Sequence, residues 1–291
     1  MVATNYVAHA IDDLREFLRS PKIDPSTREG VEWVINGLQV GQKFRLPDKG
    51  SLLYGSVENR IEWGRTFVRM PYEYTVLEYF RPAVPADSGS KLYGADGKQV
   101  DADEAGSTSG GDDFSVRMVV LCHQPVDSDL ITVFEVFSAE GGKFVPSPDW
   151  VEYDPVGQVC APRVLSPKHS GLLANTIRAY AKAITILSEF KAALACKNVE
   201  VEDGEAPSPA LNKARQSRGK QPLFTYKELV LKARASASNA GGGLSDRAPP
   251  RVHLRRGHIR RLADDRHVWV NAAVVGDKSR GMVVKDYRLT A

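Results

Sequence analysis

Residues 251–261 read RVHLRRGHIRR, which places five arginines and two histidines in eleven positions. Arginine offers a planar fork of donors that keeps its charge, and a neutral imidazole adds one directional donor or acceptor, so the set suits phosphate oxygens. Two imidazoles beside arginines and a phosphate could also divide acid and base roles, the chemistry of a histidine-dependent ribonuclease with His253 and His258 as candidates. The candidate binding set is Arg251, His253, Arg255, Arg256, His258, Arg260, Arg261 and Trp269, the last as a stacking platform for a base.

Each position also has a structural explanation. The histidines can be hydrogen-bonded scaffold residues, Trp269 can be core, and the arginines can form a solvated face paired with Asp264, Asp265, Asp277 and Asp286. A metal site would need a third ligand from His267, His123, a carboxylate or a thiol that the sequence does not bring near, so no metal is expected. No phosphate-loop glycine pattern, HExxH or nucleophile elbow is present, and no cofactor is expected. The chain is more readily a binding protein than an enzyme.

The geometry of the cluster depends on its backbone. As a strand, 251–255 alternates Arg251, His253 and Arg255 with Val252 and Leu254. A bulge at Gly257 would swap odd for even and bring His253, Arg255, His258 and Arg260 to one face. Three strands are expected here, over 251–262, 267–275 and 281–289, with a further strand over 223–231 beyond which "ASASNAGGGLSDRAPP" reads as a flexible loop.

Upstream, Ile11, Leu14 and Leu18 recur at helical spacing, and "DPSTREGVEWVINGLQVG" predicts a second helix ending near Gly37 or Gly41. "RTFVRMPYEYTVLEYF", "FSVRMVVLCHQ" and "DLITVFEVFS" are strand-like, the last two forming a hairpin across "PVDS". Residues 84–113 are rich in Gly, Ser and Asp and predict a mobile insertion inside a domain. Residues 170–197 form the clearest element, a long helix with Leu173, Ile177, Tyr180, Ile184, Leu187 and Leu194 on one stripe, Phe190 on the opposite side and Ser170 as N-cap.

The expected fold is α+β: a mostly antiparallel sheet with one long packed helix and a basic C-terminal β region. Residues 1–210 form the main body, and 211–291 form the basic region, packed on it. The charge supports this division, since 211–291 carry 18 Lys/Arg against 6 Asp/Glu whereas 1–210 carry 21 against 30. An anionic partner would meet the last third, unless the two regions attract each other. The composition, 42% hydrophobic and 26% charged over 291 residues, is that of a soluble globular protein. No secretory signal and no bilayer span are expected. Three widely spaced cysteines, Cys122, Cys160 and Cys196, fit reduced thiols packed in the core.

"RVHLRRGHIRRL" followed by "VWVNAAVVG" resembles the C-terminal signature of a family of phage and mobile-element proteins related to a type V-A anti-CRISPR. Arg251, His253, Arg255, Arg256, Gly257, His258, Trp269, Asn271 and Val274 carry the resemblance, and "AALACKN" and "VRMPYEYTVLEY" stand in the family's order. Arg260 stands where the family has a further histidine, and Ile259 replaces an aromatic. The resemblance implies a protein of the host bacterial cytoplasm that suppresses production of an effector. Its implied partner is a host protein or nascent polypeptide, with RNA or the ribosome as a further contact and no membrane.

Overall fold

A computed structural model describes residues 5–47, 50, 52, 69–81, 92–93, 99–100, 116–138, 142–154, 159–165, 173–231, 251–255, 258–262, 266–270, 273–275 and 277–282. The fold is α+β, built on one eight-stranded sheet. Its strands are β1 (Gln42–Arg45), β2 (Tyr74–Arg81), β5 (Val116–His123), β6 (Ile131–Ser138), β7 (Phe144–Tyr153), β8 (Val159–Val164), β9 (Val199–Asp203) and β10 (Lys227–Leu231), in the order β8-β7-β6-β5-β2-β1-β10-β9. From β8 to β2 every pairing is antiparallel; β1 then runs parallel to both β2 and β10, so the sheet is mixed.

Alternation along these strands divides the apolar residues between two faces. Leu77 and Tyr79 of β2, with Val120 and Cys122 of β5, lie in one buried cluster; Val76, Val119 and Leu121 lie in the other. Both faces are covered by helices. On the first lies α3 (Leu173–Leu194), with Tyr180, Ala183, Ile186, Leu187 and Phe190 buried and Ile184 and Leu194 partly buried. Phe190, expected on the opposite side, follows Leu187 by three residues and precedes Leu194 by four, so it shares their face and meets Phe44 edge to face at 4.8 Å between ring centroids. The expected cap Ser170 lies outside the described residues, as do the side chains of Leu173 and Ile177.

The second face carries α1 (Tyr6–Phe17) and α2 (Pro25–Val40). The start of α2 follows from DPST: the Asp24 side chain accepts from Thr27 N at 3.0 Å, and Pro25 occupies the first turn, where its missing N–H is harmless. Gly37 lets α2 settle on β5, since a Cβ there would stand 2.7 Å from Leu121 Cδ2. A fourth helix, α4 (Pro209–Ser217), buries none of its residues. The sequence pattern marks neither α4 nor β7. The Pro146 and Pro148 of β7 argue against a strand, yet β8 pairs only with its Asp149–Tyr153 half, so neither proline interrupts a doubly paired stretch.

Two expected features change place. The strand expected over 223–231 begins at Lys227 and lies inside the main sheet, between β1 and β9, so the chain beyond residue 210 completes the main body before entering the basic region. Of the expected insertion at 84–113, only a short hairpin is described, β3 (Leu92–Tyr93) with β4 (Gln99–Val100); the rest lies outside the described residues. Cys122 and Cys196 are buried as expected, but Cys160 is exposed because it sits on the edge strand β8.

Beyond residue 250 come β11 (Arg251–Arg255), β12 (His258–Arg261), β13 (His267–Val270), β14 (Ala273–Val275) and β15 (Asp277–Met282). β12 pairs antiparallel with β13, and β11 antiparallel with β14; β15 runs parallel along the other side of β11. Lys197 N donates to His267 O at 3.0 Å, joining β13 to the turn that leads into β9. No helix among the described residues is long and apolar enough to cross a membrane.

Candidate functional site

The basic cluster is divided between two sheets: β11 lies between β14 and β15, and β12 pairs with β13 as a two-stranded antiparallel ribbon. His253 pairs with Val275, Arg255 with Ala273, His258 with Val270 and Arg261 with His267. The bulge expected at Gly257, and with it the shared face expected for His253, Arg255, His258 and Arg260, lies outside the described residues.

Arg251, His253 and Arg255 fall on β11, and His258, Arg260 and Arg261 on β12. Trp269 stands on β13 opposite Ile259. Arg256 and Gly257 lie outside the described residues, as do Asn271 and Asp264 and Asp265. At the ribbon's closed end Arg260, Arg261 and Arg266 are exposed, and Ile259, Leu262, His267 and Val268 are half-buried. Leu262 N donates to Arg266 O and closes this end. The ribbon thus presents guanidinium groups to solvent from a backbone held by ladder bonds and tethered at His267.

A second polar constellation sits inside the body. Glu78, 1% exposed, points from β2 towards the start of α1. Its Oε2 accepts from Val7 N at 3.2 Å and from the Tyr226 hydroxyl in a short hydrogen bond. Asn5, at the N-cap position of α1, makes no side-chain cap, so a carboxylate from the sheet satisfies an N–H that the helix leaves orphaned. Asn5 pairs with the Phe224 backbone instead, Nδ2 donating to O at 2.8 Å and Oδ1 accepting from N at 3.3 Å. Burial pushes the Glu78 carboxyl up to about 7, against the Tyr226 and Val7 hydrogen bonds and the Arg45 charge that favour ionisation. Arg45 stacks over the Tyr226 ring and reaches Glu228 at 3.3 Å.

This cluster is an anchor. It joins α1, β1, β2 and the approach to β10: Arg45 pairs with Glu228, while Glu78 holds the Tyr226 hydroxyl and the Val7 N–H through Oε2 and buries Oε1 without a hydrogen-bond partner among the described residues. Two lysines are buried nearby in the fold. Lys43 donates to Gln39 O at 2.6 Å and lies 4.0 Å over the Phe224 ring, and burial brings its ammonium down to about 8. Burial does the same to Lys191 on α3, with the opposing influence of Cys122 and Asp154.

A groove of about 320 Å³ lies at one end of the sheet, lined by residues that include Met70, Tyr72, Glu73, Gln124 and Val126. His123 borders it, stacked on Tyr74 at 4.4 Å with Nε2 3.5 Å from Glu73. Gln124 is engaged in holding the groove's walls, accepting from Met70 N and donating to Ser128 O and Asp129 O. The Oγ of Ser128 accepts from Leu130 N. The residues of "CHQ" therefore pack, stack and bridge, as their types suggest.

Among the described residues no group of three or more His, Cys, Asp or Glu is placed to hold a metal. The sequence left two polar features unmarked. Glu78 is a lone carboxylate in an apolar strand, a pattern that signals a buried partner. The cations of α4 are a short basic run whose arrangement depends on the turn that follows. Comparison with protein-family models, with curated proteins and with solved structures found no match.

Proposed function

We propose that this chain is a binding protein of phage or mobile-element origin that interferes with a host system, in the manner of the type V-A anti-CRISPR relatives its C-terminal residues resemble. It acts in the host cytoplasm on a host protein or nascent polypeptide, and RNA is a second contact. The observation that carries the binding reading is the exposure of Arg260, Arg261 and Arg266 at the closed end of an ordered ribbon. Guanidinium groups held on such a backbone meet carboxylates or phosphates with little loss of conformational freedom on binding. The origin and the target class rest on the resemblance of 251–274 alone.

A plain nucleic-acid-binding module is the second reading, favoured by the same exposed arginines. A histidine-dependent ribonuclease using His253 and His258 is a further alternative. On the main proposal purified protein leaves RNA intact; cleavage abolished by His253→Ala or His258→Ala would support the ribonuclease instead. Affinity purification from translating bacteria, with and without ribonuclease treatment, tests the main proposal. A specific host polypeptide that stays bound after treatment, and is lost in Arg260→Glu/Arg261→Glu, is the expected result. No specific polypeptide, together with unchanged host proteins and transcripts on expression, would refute it.

A further inference from the structure

The nine residues of α4 form a helix that buries nothing, although a helix of this length is marginal in water by itself. Polar clamps hold it in place. The Asn212 side chain brackets Leu223, accepting from its N–H at 2.7 Å and donating to its carbonyl at 3.1 Å. Arg215 Nε donates to Gln221 O at 2.7 Å, and Arg215 Nη2 reaches Asp12 of α1 at 2.8 Å. The other oxygen of Asp12 accepts from Gln221 N. Gly219, at φ 70°, reverses the chain after the helix, so that Lys220 N returns to Arg215 O.

Arg215 and Asp12 neutralise each other, which leaves the outer surface to other residues. Lys213, Arg218 and Lys220 are exposed there, and Arg19 is exposed at the end of α1. The acidic group facing this corner is Glu16, which already pairs with Lys143 at 2.8 Å and also feels the Arg19 and Lys220 charges. Asp13 is engaged by Phe144 N at 2.9 Å. Cations therefore exceed acids at the corner, on a knob stiffened by side-chain hydrogen bonds and not by a core.

The geometry points to the α4 knob, with Lys213, Arg218 and Lys220 as its contacts, as a docking surface for the phosphate backbone of a nucleic acid. Point charges without a groove or an aromatic platform among them suit a regularly spaced anion and carry no means of reading bases. Leu211 is the one large apolar side chain exposed on the helix, too little for the apolar centre that a protein partner would use. This surface is separate from the C-terminal ribbon and does not depend on its role.

The test is fluorescence anisotropy of the full chain with a fluorescein-labelled 20-nucleotide RNA of mixed sequence over a range of salt. Lys213→Glu/Arg218→Glu/Lys220→Glu and its all-Gln counterpart are compared with wild type and with Arg260→Glu/Arg261→Glu. Melting temperatures close to wild type identify the folded variants, and the Gln set serves where reversal perturbs folding. Both α4 variants are expected to lose about tenfold or more in affinity, and the slope of log K against log salt should flatten by about 2, as for three phosphate contacts to a single strand. Unchanged affinity in a folded α4 variant would overturn the assignment, as would failure of wild type to bind the RNA. Displacement by polyglutamate at equal charge concentration would also overturn it and point to an acidic polypeptide. Loss in the ribbon variant alone would sink the knob and keep the ribbon; loss in the α4 variants alone would do the reverse.

Discussion

Glu78 shows how one residue ties several elements together. Its carboxyl is buried where the neutral form is favoured, yet it accepts the Val7 N–H that α1 cannot satisfy by itself. With a folded pKa of about 7 against an ordinary value of 4.5, the native state holds a proton that the unfolded chain has released, so stability falls as pH rises from 4.5 to 7. Glu135, with Arg81 opposing the effect of its burial, acts in the same direction. Lys43 and Lys191 act in the opposite sense over a different window. Their folded values near 8 lie below 10.5, so the stability they contribute is present above 10.5 and is lost as pH falls towards 8. Urea melts are expected to show a trough near pH 7–8. Glu78→Gln removes the carboxylate's titration and should raise stability above pH 7 relative to wild type by up to roughly 3 kcal/mol. An unchanged pH profile in that variant would show that the carboxyl is not the titrating group.

Among the elements, α2 and α4 sit on the body by different physics. Apolar contact brings α2 close enough that Gly37 has no room for a methyl group. Gly37→Ala gains about 1 kcal/mol of helix propensity but forces Leu121 aside, and a net loss of about 1–2 kcal/mol is expected in chemical denaturation. The clamps on α4 are polar and converge on Asp12. Asp12→Ala should leave the global melting transition within about 2 kcal/mol of wild type while amide exchange in 209–221 rises well above that of the sheet. Equal protection in both proteins would mean that other contacts order the helix.

At the scale of the molecule, the charge division is partly a structural fact and partly a functional proposal. Of the basic last third, Lys227–Leu231 are built into the main sheet, between the parallel neighbour β1 and the acidic edge strand β9. The Lys197–His267 hydrogen bond then brings the ribbon back to the start of that edge. Among the described residues of the last third, exposed cations therefore emerge in two places, the α4 corner and the closed end of the ribbon. If both contact RNA, affinity should fall steeply with salt in wild type, and a variant reversed at both places should lose more than either alone. Equal losses in the double and single variants would place all of the binding on one surface.

Some of this organisation was legible in the residues themselves. The helix in 170–197, the second helix within "DPSTREGVEWVINGLQVG", the hairpin across "PVDS" and the α+β class all follow from local periodicity and turn chemistry, which act over a few neighbouring positions. The stripe of α3 was legible as well, and Phe190 belongs to it by its spacing of three from Leu187 and four from Leu194, although the expectation had set it on the opposite side. The order of the strands was not legible: the parallel neighbours of β1 lie about 30 and 180 residues away in sequence, and no local pattern encodes such pairing. The candidate site divided in the same way. Residue types alone made 251–261 a cationic stretch, whereas long-range pairing divided it between β11 and β12 in separate sheets, and the fold around Asp12 turned an unremarkable basic run into a rigid knob. Composition and spacing specify what a segment can form; long-range hydrogen bonding and burial determine which groups it meets.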